Sequence, residues 1–127
     1  MLKIEQKAVS LSPMEKINRR PWGYYEVLAD ASDCKVKRIV VEPEGRLSLQ
    51  RHKSRNEHWF VVSGEGCAVV EDKELPIRAG SVVDIPAMSR HRVKNASFEN
   101  LVIIEVQTGS YFGEDDIERF EDDYGRT

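Results

Sequence analysis

The chain is short of the residues that give the strongest signals. It has two cysteines, Cys34 and Cys67, and they form no Cys-x-x-Cys pair. Nothing in that spacing requires a disulfide, and without clustering the two are not expected to be metal ligands. They read as two isolated thiols on predicted strands, the state expected in a reducing cytosol. No apolar run approaches the roughly 20 residues of a bilayer-spanning helix; 101–104 is among the longest. Residues 1–12 mix charges with single apolar residues and lack the apolar core of a signal peptide. The expectation is therefore a cytoplasmic protein with no membrane contact. Charge excess is also missing, since 19 basic and 22 acidic residues leave a net −3. Without a basic patch interleaved with aromatics, nucleic acid is not an expected partner. Internal repeats and low-complexity stretches are absent, and no long helical periodicity precedes residue 112.

The residues that are present suit one soluble domain. Of 127 residues, 40% are apolar and 32% charged, enough to bury a core. Short β-like runs fill 22–28, 35–41, 47–52, 58–63, 66–71, 74–77, 81–85, 90–94 and 101–108. Turn signals separate them: Pro43-Glu44-Gly45, Ser63-Gly64-Glu65-Gly66, Glu71-Asp72-Lys73 and Ala79-Gly80. Many short strands at regular spacing predict an all-β sandwich or closed barrel over 20–127. Residues 1–19 read as an N-terminal arm that can serve as a swapped strand. One short helical turn is expected across 114–120, with its acids at the positive N-terminal end and Ile117 and Phe120 packed on the barrel.

Histidine is scarce too, and its placement is informative. All three histidines, His52, His58 and His91, fall inside one double motif. The first half is Gln50-x-His52-x4-Glu57-x6-Gly64; the second is Gly80-x5-Pro86-x4-His91-x3-Asn95. A strand alternates its faces with period two. Gln50 and His52 thus share a face, Glu57 follows after a short turn, and His91 completes the set from a later strand. Two imidazoles, a carboxylate and an amide oxygen suit one divalent ion among Zn, Mn, Co, Ni and Fe better than a soft ion. An ion accepting about five or six ligands keeps positions open in such a site. Without a metal, the same residues would be a polar patch on one sheet.

Together the two halves resemble the cupin superfamily, a double-stranded β-helix or jelly-roll barrel. More narrowly, the flanks resemble the type II phosphomannose isomerases. The residues that carry this are Arg20-Pro21-Trp22-Gly23, Leu47-Ser48-Leu49-Gln50, Arg55-Asn56-Glu57-His58-Trp59 and the tail from Ile104-Glu105-Val106-Gln107 through Gly113-Glu114-Asp115-Asp116-Ile117 to Tyr124-Gly125-Arg126. The resemblance runs from about residue 20 to 126. It departs from the pattern at Ser54, where the family often has His, and at Met88, where the second motif has Gly. In that family the cupin often forms the isomerase half of a bifunctional mannose-1-phosphate guanylyltransferase/mannose-6-phosphate isomerase. The nucleotidyltransferase half, with its Gly-rich loop, lies outside these residues. The expectation is that this chain does not make GDP-mannose, and that a separate guanylyltransferase acts in the same pathway.

The resemblance implies interconversion of mannose 6-phosphate and fructose 6-phosphate through a metal-stabilised enediolate. Gln50, His52, Glu57 and His91 would hold the metal. Glu105 is the first candidate for the proton carrier; its neighbours Ile104 and Val106 point the other way. His58 is a second candidate, although alternation turns it away from Glu57. Arg20, Lys37, Arg119 and Arg126 are candidates for the substrate phosphate, which favours guanidinium forks. Trp22 and Trp59 read as core or cavity wall, and a homodimer is expected. Competing readings are an isomerase or epimerase on a related phosphorylated or nucleotide-linked sugar, a non-catalytic sugar-binding cupin, and an iron dioxygenase. Gln50 argues against the last, which usually carries more histidine at its metal.

Overall fold

The computed structural model describes residues 17–125, which form eleven strands in two antiparallel sheets. The first sheet contains β1 (Ile17–Arg20), β2 (Gly23–Asp30), β3 (Cys34–Val41), β5 (Arg55–Ser63), β8 (Val82–Ile85) and β10 (Leu101–Gly109), in the order β1-β2-β3-β10-β5-β8. The second contains β4 (Leu49–Arg51), β6 (Glu65–Val70), β7 (Lys73–Arg78), β9 (His91–Lys94) and β11 (Glu118–Glu121), in the order β11-β4-β9-β6-β7. The two-sheet all-β barrel expected from the turn spacing is the fold found. Most of the arm expected over 1–19 lies outside the described residues, and its last residues belong to β1, hairpinned to β2. No described helix is long and apolar enough to cross a membrane. Cys34 and Cys67 are free thiols.

Strand alternation places the site. On β5 the buried residues are Arg55, Glu57, Trp59 and Val61, while Asn56, His58, Phe60 and Val62 are exposed. β10 lies antiparallel between β3 and β5, and its register builds rows across the inner face. One row is Lys35–Gln107–Glu57, the next Lys37–Glu105–Trp59, and the next Ile39–Ile103–Val61. The apolar rows continue into a core of Trp22, Val41, Ala68, Ile77, Val83, Ile85, Val93 and Leu101. Gly64 turns β5 into β6 at φ +90°, where any Cβ would sit 2.4 Å from the Asn100 carbonyl oxygen. Asn95, the last residue of the second motif, is structural. Its amide donates to the carbonyls of Val41 and Glu99, both at 2.8 Å, and pins the loop before β10.

The helical turn expected across 114–120 is not there. The chain turns at Glu114-Asp115 and then enters β11, which pairs with β4 through Glu118↔Arg51 and Arg119↔Gln50. An isolated helical turn orders several residues for a single hydrogen bond. The acids instead find partners on the barrel: Glu114 meets Lys37 at 2.6 Å, and Glu118 meets Arg51 at 2.8 Å. The Asp116 carboxylate accepts the backbone amides of Lys53 and Ser54, each at 2.9 Å. Burial tends to raise its pKa, but those two amides hold it below the usual range. The tail therefore straps across the barrel mouth.

Candidate metal centre and substrate cavity

His52 ends the segment from β4, Glu57 faces inward from β5, and His91 opens β9. All three are buried, and their ligand atoms lie within 4.8 Å of one another. His52 Nε2 is 3.1 Å from one Glu57 oxygen, and His91 Nε2 is 3.4 Å from the other. The rings are aimed by their far nitrogens. His52 Nδ1 donates to the Asp116 carbonyl at 2.6 Å, and His91 Nδ1 to the Ser89 carbonyl at 3.0 Å. A carbonyl only accepts, so each Nδ1 carries the proton and each Nε2 faces the centre; such bonds orient the histidines of metal sites.

Arg55 is the residue that sequence reasoning missed here. It lies two positions before Glu57, on the same face, and alternation alone would have found it. Its Nε and Nη2 donate to one Glu57 oxygen at 3.0 and 2.9 Å, and Nη2 also reaches His52 Nε2 at 3.2 Å. Its Nη1 is buried without a partner. A positive charge therefore already sits against two of the three clustered ligands. Burial pushes the His52 pKa down to about 4, with Arg55 helping, so this ring is neutral. Burial works against the charged form at Glu57 and His91 too, yet each is overridden by the other. Glu57 is held well below the carboxylate range, chiefly by His91, and His91 is raised by its bond to Glu57.

Next to this cluster is a cavity of about 140 Å³, lined by Gln50, His52, Arg55 and Glu57 together with Arg20, Lys37, Glu105, Glu114 and Arg119. Gln50 is the cross-strand neighbour of His91 and spends its amide nitrogen on Ser48, which leaves its carbonyl oxygen as the free acceptor. Glu105 is 3% exposed and accepts from Gln107 at 3.2 Å. Burial and the Glu57 charge push its pKa up to about 7, against the opposing pull of Lys37 and Arg55. Trp22 and Trp59 are cavity wall, as expected.

His58 does not join the cavity. It lies on the outer face of β5, half exposed and hydrogen-bonded to Asp84 on β8. One residue of offset on a strand moves a side chain to the opposite face. Of the expected phosphate residues, Arg20, Lys37 and Arg119 line the cavity, while Arg126 lies outside the described residues. Tyr25 and Glu114 also line the cavity and were missed, as were Lys35 and Gln107, which stand behind the lining and contact Glu114 and Glu105. Lys35 and Gln107 share strand faces with Lys37 and Glu105, but Glu114 comes from the tail, and no local pattern points to it.

Comparison with known proteins places the chain. The family model for the C-terminal part of mannose-6-phosphate isomerase matches residues 8–122. The chain belongs to that family. Alginate biosynthesis protein AlgA of Pseudomonas aeruginosa is 50% identical over 108 residues, which is 85% of this chain and 22% of that protein. A mannose-1-phosphate guanylyltransferase of Escherichia coli is 39% identical over 107 residues, 84% of this chain and 23% of that protein. The chain thus spans less than a quarter of the length of these relatives. Among solved structures, a Klebsiella pneumoniae protein with a double-stranded β-helix domain superposes with a TM-score of 0.71 at 17% identity, over 91% of this chain and 99% of that one. That likeness shows the fold, the cupin barrel expected from the double motif.

Membership in the mannose-6-phosphate isomerase C-terminal family gives the two sequence departures a structural meaning. Ser54 sits at the mouth, with its amide on Asp116 and its carbonyl on the Ser110 amide, so its backbone anchors both ends of the strap. Met88 adopts φ +75°, a conformation that favours glycine, while its amide bonds to the His52 carbonyl at 2.7 Å. The glycine of the family motif answers a backbone requirement that this chain meets with methionine.

Proposed function

We propose that this chain is a metal-dependent aldose–ketose isomerase that interconverts mannose 6-phosphate and fructose 6-phosphate. One observation carries the reading: a buried His-Glu-His group and a buried carboxyl with a pKa near neutrality lie on one cavity that cations also line. Family membership supports the same choice of reaction.

The donor set fits a divalent ion among Zn, Mn, Co, Ni and Fe, with His52, Glu57 and His91 as ligands and the Gln50 carbonyl oxygen as the fourth. Both histidines present Nε2 to the centre, and the Arg55 guanidinium against Glu57 and His52 supports a cation-favouring field there. When bound, the ion supplies a Lewis acid for the oxygens on C1 and C2 of the open-chain sugar. Arg55 balances Glu57 and offers its unpaired Nη1 to a sugar oxygen. Glu105 carries the proton between C1 and C2, for which a pKa close to working pH is the favourable value. Lys37 and Arg20 receive the phosphate. The proposal includes a cytoplasmic location, a homodimer and a separate guanylyltransferase beside it; the exposed Phe60, Val62 and Val82 on the outer face of the first sheet support self-association.

The test is purified protein, reconstituted in turn with Mn²⁺, Co²⁺, Zn²⁺ and Ni²⁺, given mannose 6-phosphate. Fructose 6-phosphate is followed by a coupled assay, with a chelator control. Metal-dependent turnover is expected. Stoichiometric metal binding without turnover under any ion would overturn the reading and favour a sugar-binding protein.

A further inference from the structure

Lys35 and Lys37 share a face of β3, and both ammonium groups converge on a single oxygen of Glu114. The distances are 2.6 Å from Lys37 and 3.5 Å from Lys35, with the lysine side chains only 6% and 12% exposed. Lys37 lies 4.2 Å from the centre of the Tyr25 ring, and the Arg20 guanidinium lies 5.1 Å from the same centre. Three cations therefore gather at one corner of the mouth. Among the described residues, Glu114 is the one carboxylate ion-paired with either lysine. A carboxylate carries one negative charge, whereas a phosphate monoester carries about two near neutral pH. The corner is under-neutralised by Glu114 and better matched by a phosphate.

Glu114 is also placed to leave. Its side chain is 47% exposed. It sits on a strap held at both ends, by the Ser110 amide on the Ser54 carbonyl at 3.0 Å and by Asp116 on the amides of Lys53 and Ser54. Between those anchors, the Lys37–Glu114 bond is the strap's main polar tie to the first sheet, joined by a longer contact from Lys35 to the Phe112 carbonyl at 3.4 Å. Releasing one carboxylate does not require the strap to unfold.

We infer that Lys37, on the cavity wall, and Lys35, beside it at the mouth, form a phosphate seat, and that Glu114 is its removable stopper, displaced by the phosphate of an incoming sugar. Glu114 thereby adds selectivity, because a ligand without a dianionic group gains too little at the two lysines to replace it. The inference rests on the sugar-phosphate reading of the cavity and adds Lys35 and Glu114 to it.

Calorimetric binding tests it without turnover. Wild type, Glu114→Gln and Lys35→Met are each titrated with inorganic phosphate, mannose 6-phosphate and mannose. Glu114→Gln keeps the shape of the strap and removes the competing charge. It is expected to tighten phosphate and mannose 6-phosphate by about two- to fivefold, the range open to a half-exposed ion pair. Lys35→Met is expected to weaken both by about tenfold, and neither change should alter the response to mannose. Unchanged or weaker phosphate binding in Glu114→Gln would overturn the stopper. Undiminished binding in Lys35→Met, or no phosphate binding by wild type, would overturn the seat. Tightened phosphate binding in a protein that never isomerises would leave this inference standing and sink only the proposed reaction. Turnover with an indifferent Glu114→Gln would do the reverse.

Discussion

The two ends of the barrel are built from the same strands and have opposite chemistry. Along β3, β10 and β5, the inward rows run from Lys35–Gln107–Glu57 and Lys37–Glu105–Trp59 at the mouth to Ile39–Ile103–Val61 at the closed end. At the mouth, burial is imposed on charged groups and pKa values are displaced in both directions: His52 and Glu57 are lowered, while His91 and Glu105 are raised. At the closed end, burial removes apolar surface from water and stabilises the fold directly. The closed end holds the strands in register; the mouth uses that register to keep like and unlike charges at close range, where a softer scaffold would let them relax.

Substitutions at the two ends should therefore fail in different ways, and the largest contrast is between ligand and core. His52→Ala and Glu57→Ala are each expected to cost more than about a hundredfold in metal affinity, with activity lost in parallel. Ile103→Ala, one row deeper on β10, should cost about 2–5 kcal/mol of stability through the cavity it leaves. It should still bind metal stoichiometrically below its melting temperature. Metal titration and thermal melts on the three variants separate the cases. Retention of full activity by both ligand variants would remove the metal from the reaction.

The closed end and the candidate metal-holding group were more legible in the sequence than the rest of the mouth. Alternation and turn residues were enough to place the strands, because a half-buried strand writes its orientation into every second residue. His52, Glu57 and His91 were legible because they fall together in a recognisable two-part motif. Arg55 and Lys35 were equally available from alternation, but basic residues are common in this chain, and nothing local separates a buried one from a solvated one. Glu114 and Asp116 were misplaced in a helix. Their partners Lys37, Lys53 and Ser54 are about 60 to 80 residues away in sequence, and an ion pair at that range leaves no periodic trace.

A smaller and more selective effect is expected at Glu105, which lies in the mouth but is not proposed as a metal ligand. Glu105→Gln should lower turnover by about 10²–10⁴, the usual contribution of a general base, and leave metal affinity near wild type. The pH dependence of stability gives an independent check in metal-free protein. The folded state holds the Glu105 proton more tightly than the unfolded state, with a pKa near 7 against 4.5. Ionising this carboxyl is therefore harder in the fold, and its burden grows as pH rises from about 4.5 through 7. Glu105→Gln removes that burden, so its melting temperature should gain on wild type between pH 5 and pH 8 (about three decades of proton activity). A constant difference across that range would mean that Glu105 ionises freely, and the case for it as the proton carrier would fall with it.

The smallest expected effect lies at the rim of the mouth, in the turn before β9. Met88 holds φ +75°, a left-handed conformation that costs an L residue about 1–2 kcal/mol. Glycine at the same place escapes most of that cost, and returns about 0.4–1 kcal/mol of it through the greater freedom of the unfolded chain. Met88 is 46% exposed, so little burial is lost with its side chain. Met88→Gly should therefore raise stability by up to about 1 kcal/mol, or about 2–4 °C in a chain of this size. The bond from its amide to the His52 carbonyl is unaffected by the side chain, so metal affinity should hold. A melt and a metal titration on the one variant decide the point. If stability fell instead, the Met88 side chain would be packing on something that the barrel alone does not provide, and the outer rim of the mouth would have to be treated as a contact surface.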